Sequence, residues 1–441
     1  MREIAIHGVA TTISTLVLHL LVSTFEIVYF FSLAFLNSET VRIVESPMSE
    51  IAELPLPRGN PLHPPPKYRE LSMERPVVKV RTPRGDHAWL ITRFEDVRAV
   101  LVDQRFSSDP RTPGFPSYLT GGLEPPPGFF MQFDNPDHSR LRGSVSREFI
   151  TSRMEGMRPR MREILDELIA AMTAGAREAE LIERLALPMS ARVICEFLGV
   201  SPGDTKTVKA HVDVLLDRAR PPEEVIRAAT ELSAYFEQLV TDKEQRPGED
   251  LLSMLVKGSP GNGVERPELV GIATLLLLGG YDTMVQMIGL GVLTLLEHPQ
   301  QLAELVADEA LMPNAVDELL RYLTVNHAGL PRAALADVEI GGQLIRAQDG
   351  VLVMLNAANR DPAVFPDPDA FDIHRKASRH VAFGYGLHKC IGLALARVEL
   401  ETVFYGLFKR LPGLRLTAPI QSLSFRHDMV LYGVNELPVS W

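Results

Sequence analysis

One cysteine sets the terms for this chain. Cys390 lies near the end of the stretch FGYGLHKCIG (residues 383–392), and a clear helical pattern, LALARVELETVFYGLF, follows at once. A helix N-terminus favours negative charge. The position therefore predicts a thiolate with a lowered pKa, fit to bind a metal ion. Gly384 and Gly386 let the backbone pass close to a flat group, and Gly392 lets the helix approach it. Backbone N–H groups can then point at the sulfur and tune it. Cys195, in SARVICEFLGV, has no such surroundings and reads as a small buried hydrophobe.

These are the only two cysteines among 441 residues, so no disulfide framework is available and a reducing, cytoplasmic setting fits. Zinc normally needs more sulfur or closely spaced histidines, and the sequence has no CxxC or HxxxH pair. An apolar content of 46% excludes general disorder, and a net charge of −11 makes nucleic acid an unsuitable partner.

Residues 14–36 form an apolar run long enough to cross a bilayer, interrupted by His19 and Glu26. Three readings stand: a membrane anchor, an export signal, or a natural start at Met48, where a polar, Pro-rich lead-in begins. The third is the one we carry forward. It divides the chain into a hydrophobic extension, residues 1–47, and a single domain, residues 48–441.

Beyond the Pro-rich entrance, residues 77–92 predict two short strands around a Pro-Arg-Gly-Asp turn, and residues 94–102 a helix. Residues 107–130, with Gly121, Gly122 and three consecutive prolines, predict a long loop of the kind that often serves as a lid. From Asn135 to about Leu320 the periodicity is nearly all helical. Within it, residues 270–296 are strongly apolar, but the central Asp282 and paired glycines indicate a buried core helix rather than a membrane span. VEIGGQLI (residues 338–345) reads as a hairpin. The class is mainly α with a small β region.

FGYGLHKCIG resembles the haem-binding signature of the cytochrome P-450 family, Phe-x-x-Gly-x-x-x-Cys-x-Gly, with the additional Gly386 and His388 of bacterial members. The resemblance extends from about Leu54 to Trp441 and implies the triangular helical prism of that fold enclosing haem b, with Cys390 as axial iron ligand. Phe383 and Gly384 belong to the same cofactor-binding stretch. Glu318 and Arg321, an i, i+3 pair in ELLR, resemble the family's ExxR element, expected buried and tied to an arginine downstream, in the region of Arg360 and Phe371. His138 and Arg142, i, i+4 on one helix, are implied to hold the haem propionates, with Arg332 and His380 as further partners. Gly279-Gly280-Tyr281-Asp282-Thr283 resembles the oxygen-binding stretch. There a hydroxyl such as Thr283 can bond back to an earlier carbonyl, and an acid such as Asp282 can relay protons; these two are the expected catalytic residues.

The resemblance implies a monooxygenase that activates O2 and inserts one atom into substrate. Electrons are expected from NAD(P)H through a separate ferredoxin and ferredoxin reductase, docking near Lys389, Arg140 and Arg147. Residues 107–130, 326–330 and the turn at Met429-Val430 should line the pocket. Their composition implies an apolar, medium-to-large small molecule, free or tethered to a carrier protein. The pattern resembles actinobacterial members, many of which tailor secondary metabolites such as antibiotics. Oxidative coupling without oxygen insertion and a non-catalytic recruiting role are the alternatives.

Overall fold

The fold is organised by its longest helix. Glu265 and Glu268 form a reciprocal capping box, and Pro267 occupies the first turn, where a missing N–H is harmless. The helix then runs from Arg266 to Glu297, about 48 Å at 1.5 Å per residue, and stops before Pro299. Among the described residues it is the one helix apolar enough to cross a membrane, yet 83% of its most apolar window is buried inside the protein. It is a core helix, as the paired glycines and central acid indicated.

The computed structural model describes residues 41–42, 53–54, 56–82, 87–116, 124–217, 220–427 and 429–441. The apolar run 14–36, Met48, the turn 83–86 and Gly121-Gly122 lie outside the described residues. The elements used below are, in chain order, α1 (Lys67–Glu74), β1 (Val77–Arg81), β2 (His87–Ile91), α2 (Phe94–Val102), β3 (Phe106–Ser107), α3 (Asp137–Ser146), α4 (Arg158–Thr173), β4 (Glu178–Glu180) and α5 (Leu187–Leu198). They continue with α6 (Thr205–Leu216), α7 (Pro222–Gln245), α8 (Leu251–Asn262), the long α9 (Arg266–Glu297), α10 (Pro299–Ala307) and α11 (Met312–Leu323). After these come β5 (Leu330–Ala334), β6 (Val338–Ile340), β7 (Gln343–Ile345), β8 (Gly350–Val353), α12 (Leu393–Arg410), β9 (Arg415–Leu416) and β10 (Pro438–Ser440).

Helices α5, α7 and α12 pack on α9, α4 packs on α12 and α5, and all share one large apolar core. The closest approach is set by Gly291 on α9, where a Cβ would lie 2.3 Å from the Phe404 ring of α12. The smaller β side is a five-stranded sheet in the order β1-β2-β8-β5-β3, parallel only between β2 and β8. Its strands alternate faces with period 2. Ile91, Val351 and Val353 face α2, while Ala88, Leu90 and Leu352 face α1. The 338–345 hairpin turns on Gly341 and Gly342, both at positive φ as a two-residue hairpin loop requires. One element departs from the helical reading of residues 135–320. Strand β4 pairs with β10 at the far end of the chain, a contact that no local period reveals.

Glu318 and Arg321 on α11 are fully buried and paired, 2.7 Å from Nε to Oε2. Arg321 also donates to the carbonyls of Asn359 and Pro368, both at 2.9 Å. The downstream partner of Glu318 is Arg375, at 3.1 Å, and not Arg360. Arg360 instead donates to Asp369 and the Tyr322 carbonyl, and burial brings its pKa down to about 10. Removing one partner of such a buried network leaves an uncompensated charge. Glu318→Gln is therefore expected to lower stability by about 3–5 kcal/mol, read as a fall in the denaturation midpoint. An unchanged midpoint would mean that the network does not hold the fold.

Candidate cofactor site

The cysteine loop hangs from that network. The Asn359 side chain donates to Thr324 at 2.9 Å and accepts the Val381 N–H at 2.8 Å, which fixes the chain two residues before Phe383. The loop then closes on itself. Gly384 N–H donates to the Val381 carbonyl and Cys390 N–H to the Phe383 carbonyl, both at 2.8 Å. Gly384 and Gly386 adopt φ of +70° and +74°, a region that disfavours side chains. A Cβ on Gly386 would also lie 2.3 Å from the Leu101 carbonyl of α2. The loop is thus wedged between the β side and α12, which starts three residues after Cys390.

Cys390 keeps accessible surface although it lies deep among protein atoms, which marks a residue lining an internal cleft. Its thiol departs from the sequence expectation. Burial pushes its pKa up, and this outweighs the Gly392 N–H and the nearby Arg142 and Lys389 charges that favour thiolate. The protein alone does not make this sulfur anionic; a bound metal ion deprotonates a coordinating thiol outright.

Beside the loop the structure collects positive and polar groups without counter-charges. The rings of His138 and His388 lie 4.1 Å apart. Both ring nitrogens of His138 and Nδ1 of His388 are buried without a hydrogen-bond partner. Burial, with Arg142 and Arg332 nearby, lowers their pKa values to about 4 and about 2, so both rings are neutral. Arg332, on β5 between β8 and the edge strand β3, is buried, with its pKa down to about 10 for that reason, and donates to the Pro331 carbonyl. Arg142 donates to the Lys389 carbonyl at 2.5 Å. Among the described residues neither guanidinium has a carboxylate within ion-pair distance. Unpaired buried cations are costly, and two arginines with two imidazoles suit a group that brings two carboxylates into an apolar slot. The residues present therefore fit haem.

His380 stands beside the loop as well, and its Nε2 is also buried without a hydrogen-bond partner. That atom lies 3.6 Å from Asp317, Nδ1 accepts the Ala382 N–H, and the ring packs on Phe383. Arg397 on α12 donates to the same Asp317 and lies 5.2 Å from the Phe383 ring. His388, beside the unpaired cations, is legible in the sequence only as part of the cysteine motif.

Across the fold, Thr283 donates to the Gly279 carbonyl at 2.6 Å, the back-bond anticipated from its position in α9. Asp282 is buried and held in an ion pair with Arg426, which no sequence signal had marked. Two of the expected pocket segments meet: Val430 accepts the N–H groups of His327 and Ala328 at 3.2 and 3.4 Å. Leu330 approaches within 3.9 Å of where a Gly384 Cβ would be, so this wall reaches the cysteine loop. Arg140 is not free on the surface, since Glu268 and Asp137 pair with it.

A sequence profile described as cytochrome P450 matches residues 223–412. Cytochrome P450-SU2 of Streptomyces griseolus is 43% identical over 385 residues, covering 87% of this chain and 95% of its own. The 20-oxo-5-O-mycaminosyltylactone 23-monooxygenase of Streptomyces fradiae is 40% identical, covering 88% and 92%. The crystal structure of cytochrome P450 MoxA from Nonomuraea recticatena superposes with a TM-score of 0.83 at 42% identity, covering 88% of this chain and 98% of that one. With relatives at this identity along nearly their whole length, and with a cysteine loop and cation cluster suited to haem, the chain belongs to the cytochrome P450 family.

Proposed function

We propose that residues 48–441 form one haem domain that inserts a single oxygen atom from O2 into an apolar, medium-to-large natural product, as a tailoring step of secondary metabolism in the cytoplasm. One observation carries the site: Cys390, His138, His388, Arg142 and Arg332 lie together, with three imidazole nitrogens unpaired and no carboxylate in ion-pair distance of either arginine. The relative acting on 20-oxo-5-O-mycaminosyltylactone supports a substrate of that size class.

Haem, when bound, supplies the reductive activation of O2, which no side chain can perform. The chain's own residues do the rest. Cys390 would hold the haem iron through its sulfur, and the Phe383 carbonyl and Gly392 N–H fix its position. Arg142, Arg332, His138 and His388, with His380, would hold the two carboxylates. Thr283, bonded back to Gly279, presents a hydroxyl from α9, and Asp282 beside it in sequence is the proton source. Segment 326–330 and the turn at Met429-Val430 orient the substrate against the cysteine side.

Electrons come from NAD(P)H through a ferredoxin and its reductase. Ferredoxins are acidic, so they meet a basic surface. Lys389 and Arg147 are exposed beside the cysteine loop and α3, with Leu387 also exposed, whereas Arg140 is neutralised by Glu268.

Turnover of macrolide-type probes with ferredoxin, reductase, NADPH and isotopically labelled O2 tests the reaction. The expected product gains one labelled oxygen; loss of two hydrogens without oxygen would assign oxidative coupling instead. Arg332→Ala should release haem, read as a severalfold fall in haem absorbance per protein, and His380→Ala should lower haem occupancy by less. Lys389→Glu and Arg147→Glu should slow reduction by ferredoxin at least severalfold and flatten its salt dependence. Unchanged rates would remove this docking surface.

A further inference from the structure

Arg426 reaches from the C-terminal segment to the one acid of the long helix that the chemistry needs. Its Nη1 donates to Asp282 Oδ1 at 2.6 Å and its Nη2 to Oδ2 at 3.2 Å. Oδ1 also accepts from Gln286 Nε2 at 2.9 Å, one turn along the helix. Both partners of the ion pair are nearly buried, with side-chain exposures of 12% and 10%. A two-pronged guanidinium–carboxylate pair fixes orientation as well as charge.

That orientation matters because of helix geometry. Asp282 and Thr283 are consecutive, so their side chains leave the helix about 100° apart and do not face each other. The hydroxyl points back at Gly279, while the carboxylate is turned to Arg426 and Gln286. Where the carboxylate is held therefore decides whether its proton can be handed toward Thr283.

The holder is itself built into the pocket wall. Arg426 N–H donates to the Gly433 carbonyl at 2.9 Å, and Phe425 pairs with Val434. A Cβ on Gly433 would lie 1.8 Å from Gln286 Oε1, so this segment is shaped to receive α9 at the turn that carries Asp282. The turn that follows Arg426 packs on the other wall segment, through Val430 with His327 and Ala328 and through the His427 carbonyl with His327 Nε2 at 3.0 Å.

We propose that Arg426 is the positioning residue of Asp282. It makes the C-terminal turn, on the substrate side, the element that sets where the proton-delivering carboxylate points. Substrate pressed against Met429-Val430 is then felt at Asp282 through one side chain. The proposal rests on the monooxygenase reading above. In that reaction O2 takes two electrons and two protons, giving oxygenated product and water; the same electrons and protons, delivered without insertion, leave as hydrogen peroxide.

The test is a double-mutant cycle on the haem-loaded enzyme with Arg426→Gln, Asp282→Asn and the pair, with Arg426→Lys as the conservative variant. Two quantities are measured: hydrogen exchange of the backbone amides in residues 279–290 without substrate, and hydrogen peroxide released per NADPH consumed while ferredoxin and reductase drive turnover of a macrolide-type probe. Either single change should raise both severalfold, the double variant should match Asp282→Asn, and Arg426→Lys should restore most of the wild-type peroxide ratio. An unchanged peroxide ratio in Arg426→Gln, or effects that add in the double variant, overturns the proposal. Should Arg426→Gln fail to fold, Arg426→Lys carries the test: a peroxide ratio as high as that of Asp282→Asn contradicts positioning by charge. The reduced, carbon-monoxide-bound spectrum of the wild type separates the two levels. A strongly red-shifted band with additive effects sinks this proposal alone, and an absent band sinks the monooxygenase reading together with it.

Discussion

Everything near Cys390 depends on a carboxylate and two guanidinium groups buried away from it. Glu318 accepts from Arg321 and Arg375, and Arg321 binds the carbonyls of Asn359 and Pro368. These bonds pin the meandering segment 359–381, which has almost no regular structure of its own to hold it. Asn359 then passes the constraint to Val381, and from there it reaches the loop closed by Phe383 and Cys390. A fully buried ion pair is weak evidence for stability in itself, since desolvation offsets its attraction. Its value here is specificity: a carboxylate with this many fixed donors allows one path for the chain that presents the cysteine.

The site shows a different electrostatic economy. Arg142 and Arg332 lie beside His138 and His388 without a counter-charge, the imidazoles keep unpaired nitrogens, and burial disfavours the charged forms of all four. The thiol is pushed in the same neutral direction. A fold that carries such groups gains little from them until two carboxylates and a metal ion compensate the set. Binding free energy for the cofactor is thereby folding free energy for the loop. By contrast, Arg397 is already neutralised by Asp317 at 2.8 Å and needs no further partner.

Much of this architecture could be read from local pattern. The alternating run 77–92 gave two strands, residues 94–102 a helix, Gly341-Gly342 a hairpin turn, and the apolar run around Asp282 a long core helix. Each of these signals is carried within a few residues. What stayed hidden depends on distance in sequence. Strand β4 exists because residues 438–440 pair with it. Arg375 rather than Arg360 meets Glu318 because of how the segment between them turns. His388 meets the site because α3 brings the His138 ring to within 4.1 Å of it. Arg426 lies in a C-terminal stretch with no periodic signal, and only the folded chain shows it 2.6 Å from Asp282.

The most direct test of the account is the reduced, carbon-monoxide-bound absorbance difference spectrum of the purified protein and of Cys390→His. Thiolate ligation predicts a Soret band shifted strongly to the red in the first and lost in the second. A band in the unshifted position for native-like protein would mean that sulfur is neutral or absent from the iron, and would contradict the assignment of Cys390 as the ligand on which the chemistry depends.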